Sequence, residues 1–268
     1  MRAVIIALAF AHTSLGGEIC RPQAGSHSLR IIDPSVLELE IITAKRPGKP
    51  LPCWNVPELG RAGEQDGPAG FNIRVNGQPT SSKVVKLGYK RRPLYATLGE
   101  YDMRVGTQIY LVLSAPLSLA DGDRVTVGIP TSLKSPPGCK FEAEFRRNRD
   151  SPAIHINQAG YQVGSIKQAV AGYYLGSAGE LPLDGSRSFY LQDVQSGRKV
   201  YEGSSERRRE VGLTFSPPQY QQVHALDFSD FDRPGRYVLG IEGLGESAPF
   251  TISDGLFACI ARTYALGL

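Results

Sequence analysis

The sequence predicts an all-β protein with two β-sandwich domains in series and a short C-terminal helix. Short β-rich runs recur along most of the chain, Gly and Pro turns divide them, and helical periodicity is sustained only at the very end. With 268 residues the chain is long enough for two domains of ordinary size, each with its own core.

Composition narrows the class. Apolar residues make up 41% and charged residues 21%, which fits a globular protein and not a disordered one. The net charge of +4 comes from a mixed surface. Its densest basic run, Arg207-Arg208-Arg209, is flanked by Glu206 and Glu210 and has no recognition motif beside it. It reads as a solvated loop, so no nucleic-acid partner is expected.

Residues 1–17 place Arg2 before an apolar run from Ala3 to Ala11, followed by the small residues Ser14 and Gly16. This is the layout of a secretory signal peptide, too short to span a bilayer. A secreted or periplasmic protein is expected, with no membrane contact beyond the signal. Export would put Cys20, Cys53, Cys139 and Cys259 in an oxidising compartment, where four cysteines are too sparse for a disulfide scaffold. A Cys53–Cys139 bridge stays open at this point.

The first domain, residues 18–150, offers the runs LELEIIT, FNIRVNG, SKVVKLGY, QIYLVLS, RVTVGIP and FEAEFRR as strands. Between the first two lies a long Pro- and Gly-rich insertion in which no period is sustained, which predicts an extended surface loop. Trp54, the only tryptophan, sits in it. Its ring either packs the loop onto the domain or stacks on a sugar.

The segment RRNRDSP links this domain to a second, residues 151–253, with the runs IHINQ, KQAVAGYYLG, RSFYLQDV, RKVYEG, EVGLTFS, QVHALDFS, GRYVLGIEG and SAPFTIS. Short antiparallel strands at this density predict an immunoglobulin-like sandwich. Pro234-Gly235 suits the centre of a type II turn. After it, Tyr237, Leu239 and Ile241 form an apolar face, and Tyr237 stands where such folds put a tyrosine corner. Leu239 occupies the position of the usual second cysteine, so packing must replace the inter-sheet disulfide.

Residues 254–268 predict a helix starting near Gly255, capped by Ser253 or Asp254, with Leu256, Ile260 and Tyr264 repeating every four residues. Phe257, Ala258, Cys259, Ala261 and Ala265 fill most of the remaining circumference. A helix apolar nearly all round belongs inside a larger helical core, so the chain is expected to be the amino-terminal portion of a longer design.

Taken in order, IHINQAGY, DFSDFDRPGRYVLGIEG, SAPFTIS and the apolar helix resemble the amino-terminal immunoglobulin-like domain of glycoside hydrolase family 9 cellulases, over about residues 154–266. The residues that carry the resemblance are Asn157, Gln158, Gly160, Tyr161, Asp227, Phe228, Pro234, Gly235 and Tyr237. The resemblance implies an (α/α)6 barrel after the sandwich that cleaves β-1,4-glucans by inversion, with base carboxylates in an Asp-Ala-Gly-Asp motif and a late glutamate as acid. That motif does not occur in this sequence, so no catalytic residue is carried over. The first domain, through YDMRVGTQIYLVLSAPL, is similar to a β-sandwich module placed ahead of such domains.

The residues by themselves offer little independent chemistry. Asp227, Asp230 and Asp232 could pair carboxylates or hold calcium, but turn formation explains them better. Glu142 and Glu144 share one strand face and read as exposed decoration. The histidines have no metal spacing, and no Gly-x-Ser-x-Gly or phosphate-binding turn occurs, so no cofactor or metal is expected. The expected role is a non-catalytic portion that braces a catalytic glycoside hydrolase domain, with a β-glucan as a further partner. The alternative is a stand-alone carbohydrate-binding or surface-attachment protein that stacks sugars on Trp54 or Tyr161.

Overall fold

The computed structural model describes residues 21–45, 67–96, 103–130, 138–208 and 223–267. The expected signal segment 1–17, Cys20, Cys53, Trp54 and the run EVGLTFS lie outside the described residues. Cys139 is half-buried with a free thiol.

The first unit holds β1 (His27–Asp33), β2 (Val36–Lys45), β3 (Asn72–Val75), β4 (Gln78–Pro79), β5 (Val84–Tyr95), β6 (Met103–Leu113), β7 (Arg124–Gly128) and β8 (Phe141–Glu144). They form two antiparallel sheets, ordered β1-β2-β6-β5 and β4-β3-β7-β8. Alternate residues of each sheet meet in one core that includes Leu37, Leu39, Ile109, Leu111, Ile73, Val125 and Phe141. Glu142 and Glu144 are exposed, and Glu144 pairs with Arg146 at 2.6 Å.

The second unit follows with β9 (Ile154–His155), β10 (Tyr161–Gln162), β11 (Gln168–Ala171), β12 (Ser188–Asp193), β13 (Lys199–Ser204), β14 (Glu206–Arg207), β15 (His224–Asp227), β16 (Gly235–Ile241), β17 (Gly245–Glu246) and β18 (Phe250–Ser253). One sheet runs β10-β18-β16-β12-β13, with β17 on β16; the other runs β14-β15-β11-β9. Only the β10–β18 pair is parallel among the described strands. Ala169, Ala171 and Leu226 from one sheet meet Phe189, Leu191, Leu239 and Phe250 from the other. Helix α1 (Leu256–Gly267) closes the described chain, and no helix among the described residues is long and apolar enough to cross a membrane.

Two features depart from the sequence expectation. β16 was expected to bury one face, yet Tyr237 through Ile241 are all buried. The strand is central, and the Tyr190 ring of β12 lies so close over Gly240 that a Cβ there would collide with it. β1 is a strand outside the predicted set. Its adjacent Ile31 and Ile32 enter different cores, the first that of its own unit and the second that of the other.

The two units share a seam. On the far face of the first sheet, Val36, Tyr110 and Ile32 join the core of the second unit. Glu38, cross-strand partner of Tyr110, is only 2% exposed and accepts a hydrogen bond from the Tyr173 hydroxyl at 2.7 Å. Nearby, the Lys86 ammonium donates to Ala178 O at 2.8 Å and the Tyr89 N–H to the Ser177 hydroxyl at 3.0 Å.

Arg149, in the linking segment, closes the seam at its other end. Its guanidinium donates to Ile31 O at 2.7 Å, to Ile32 O at 3.1 Å and to Gly243 O in the β16–β17 turn. It also lies 4.9 Å from the Phe145 ring centroid. A planar fork of donors suits this task, because one side chain reaches carbonyls in both units at once.

Candidate functional site

The residues that carry the resemblance lie in the second unit, which includes the parallel strand pair β10 and β18. In the stretch 154–162, Ile154 is buried while His155 is exposed, with its Nε2 2.9 Å from Gly172 O. The chain then turns. The Asn157 carboxamide oxygen accepts the Ala159 N–H at 3.1 Å, and the Gly160 N–H donates to Asn157 O at 2.9 Å. Gly160 has φ +102°, a left-handed value that favours glycine. Gln158 is exposed.

Tyr161 corrects the sugar-stacking expectation. It is 6% exposed, with its ring edge-on to Phe228 at 5.1 Å and Phe250 at 5.4 Å. Its hydroxyl accepts the Asn157 N–H at 3.0 Å and donates to Gln168 O at 2.9 Å, while burial raises its pKa. Such a ring has no free face to offer a saccharide. It is a core residue whose polar tip closes the turn.

The three aspartates share no hydrogen-bond partner through their side chains. Asp227 accepts from the Ser229 N–H at 2.9 Å and the Gln168 amide at 2.8 Å, which hold its pKa below the usual carboxylate range. Asp230 accepts from the Tyr201 hydroxyl at 2.8 Å. Asp232 accepts from the Gly164 N–H at 2.8 Å and the Lys167 ammonium at 2.7 Å. No group of carboxylates, histidines and cysteines among the described residues could hold a metal ion.

Lys167 was not singled out by sequence. Its side chain is fully buried, yet all three ammonium donors are used, on Ser165 O, Ser229 O and Asp232. A buried ammonium is tolerated when it is paired and hydrogen-bonded in this way. It ties the loop after β10 to the loop after β15.

Pro234-Gly235 is not the type II turn expected from its dipeptide chemistry. Gly235 already belongs to β16, pairs with Ile252, and has no positive φ. Glycine is needed there for space, because a Cβ would stand 2.5 Å from the Tyr237 hydroxyl. That hydroxyl donates back to Arg233 O at 3.1 Å, which is the bond of a tyrosine corner.

Helix α1 begins next to this corner. The expected caps, Ser253 and Asp254, are replaced by Gln162 from β10. Its carboxamide oxygen accepts the Phe257 N–H at 3.2 Å and its NH2 donates to Asp254 O, so one side chain holds both the first turn and the strand exit. The rest of the helix stands clear of the sandwich. No α1 residue is buried, and Phe257, Tyr264 and Leu266 are 62%, 74% and 79% exposed.

Comparisons with known proteins fall on this unit. Residues 149–246 match the family model of the cellulase N-terminal ig-like domain. A metagenome-derived glycoside hydrolase family 9 endoglucanase is 30% identical over 37% of this chain and 18% of its own, with a TM-score of 0.31. A GH9 protein of Bacteroides ovatus is 25% identical over 41% of this chain and 17% of its own, with a TM-score of 0.31. A thermostable endoglucanase from Alicyclobacillus acidocaldarius is 21% identical over 40% of this chain and 16% of its own, with a TM-score of 0.29. The matched region thus spans less than a fifth of the length of each of these proteins. No curated protein sequence matches the chain.

Proposed function

We propose, from a chain that carries a cellulase-associated ig-like domain over residues 149–246, that it is the non-catalytic amino-terminal portion of an exported cellulase-like glycoside hydrolase. In this reading the two units brace and orient a helical catalytic barrel, which supplies the paired carboxylates and engages the β-glucan. Residues 1–17 serve as its export signal.

The observation that carries the reading is α1, an apolar helix held at its first turn by Gln162 and otherwise uncovered among the described residues. Covering the side chains of Phe257, Tyr264 and Leu266 would contribute on the order of 5 kcal/mol, at about 1.5–3 kcal/mol for each fully buried large side chain. A neighbouring helix of the barrel can offer the apolar surface that this requires. The seam through Glu38, Tyr173 and Arg149 makes the two units a single support for that contact.

The test is a Phe257→Glu, Leu266→Glu double variant made both in this chain and in the full enzyme. The isolated chain should melt within about 2 °C of its parent, because both positions are solvent-exposed and such substitutions usually change stability little. In the full enzyme the same changes should lower the temperature at which soluble β-glucan hydrolysis is lost. Equal insensitivity in both proteins would refute docking through α1.

A further inference from the structure

The seam between the units opens into a cleft of about 520 Å³, within the size range of small-ligand sites. Arg30 of β1 with Lys90 and Arg92 of β5 line it from the first unit, and His155, Tyr173 and Tyr174 line it from the second. Glu180 is the only carboxylate among the described lining residues, so cations outnumber anions at the cleft.

The cations are not equivalent. Arg30 stands 3.6 Å from the buried Glu38 carboxylate and is already engaged. Lys90 lies 5.8 Å from the Tyr173 ring centroid, and neither it nor the exposed Arg92 forms an ion pair among the described residues. Tyr173 is fixed by its bond to Glu38, whereas Tyr174 is 48% exposed and presents an open ring. A guanidinium and an ammonium together favour a carboxylate, and the flat apolar ring beside them favours a ligand with an apolar face.

We propose that this cleft binds a carboxylated sugar, a uronate residue of an acidic polysaccharide. Its carboxylate sits between Arg92 and Lys90, and the C–H face of its ring lies against Tyr174. The anion site rests on the geometry of the cleft, while the choice of a sugar rests on the polysaccharide-degrading role proposed above. Tyr161, buried in the core of the second unit, takes no part in it.

Titration calorimetry of the full chain with trigalacturonate, cellotriose and inorganic phosphate tests the assignment. Trigalacturonate should bind saturably and the other two should not. Arg92→Ala and Tyr174→Ala should each weaken it at least tenfold without changing the melting temperature, since both side chains are exposed, and Arg92→Lys should restore part of the loss. Absence of saturable trigalacturonate binding, or affinity unchanged from the parent in the alanine variants, would overturn the site. Phosphate binding as tightly as trigalacturonate would overturn the sugar assignment. Failure here leaves the α1 reading standing, because that reading is measured through hydrolysis by the full enzyme.

Discussion

Replacing Arg149 with alanine tests whether the two units behave as one block. The substitution removes a charged donor from Ile31 O and Ile32 O in the first unit and Gly243 O in the second, together with the contact on Phe145. Hydrogen bonds to charged groups contribute about 1.5–3 kcal/mol each, and an exposed cation–π contact about 0.5–1 kcal/mol. Water will enter the truncated site and recover part of this, which leaves a loss of about 3–5 kcal/mol. For a chain of this size each kcal/mol shifts the melting temperature by about 2–4 °C, so a drop of about 6–20 °C is expected. Scanning calorimetry should show one transition for the parent chain and two for the variant, as the units separate before both unfold. Arg149→Lys should fall between them, since an ammonium cannot span the three carbonyls. A single transition within 2 °C of the parent would refute the staple.

Lys167→Met keeps the volume of the side chain but leaves Ser165 O and Ser229 O without their donor. Thermal melting should show a loss of about 2–4 kcal/mol, from two part-buried carbonyls at about 1–3 kcal/mol each. Tyr237→Phe removes the bond to Arg233 O and should cost about 1 kcal/mol in urea unfolding. Gly235→Ala should cost more than that, and the Gly235→Ala, Tyr237→Phe double variant should recover part of the loss, because the clashing hydroxyl is gone. Stability should also depend on pH in two windows. Burial and the Glu38 carboxylate push Tyr173 up to about 12, so its contribution is complete below pH 10 and is lost as pH rises towards 12. Asp227, held low by Ser229 and Gln168, contributes above its ordinary value of 3.8 and loses that contribution as pH falls below it. Urea midpoints across both ranges would check the signs.

The strands were legible where alternate residues enter one core. β2 and β6 each send alternate residues into the first core, and the turn chemistry around Asn157 is local enough to read directly. The seam was not legible. Glu38 alternates with Leu37 and Leu39, and its partner Tyr173 in the seam stands 135 residues later in the chain. Ile31 and Ile32 break the alternation of β1 by serving two cores, which hid that strand. Gln162 could not be recognised as the clamp on α1, since its partner Phe257 is 95 residues away. At Gly235, local turn propensity lost to cross-strand pairing with Ile252 and to the space taken by the Tyr237 hydroxyl. Tertiary packing decided each of these positions, and a one-dimensional pattern does not carry it.

The proposed role of α1 is to dock onto a catalytic barrel encoded with this chain. Determining the genomic sequence that follows the codon for Leu268 tests it most directly. Docking through α1 requires a downstream frame, in any phase, that encodes amphipathic helices and the Asp-Ala-Gly-Asp pair of base carboxylates. A downstream region without such a frame would contradict it.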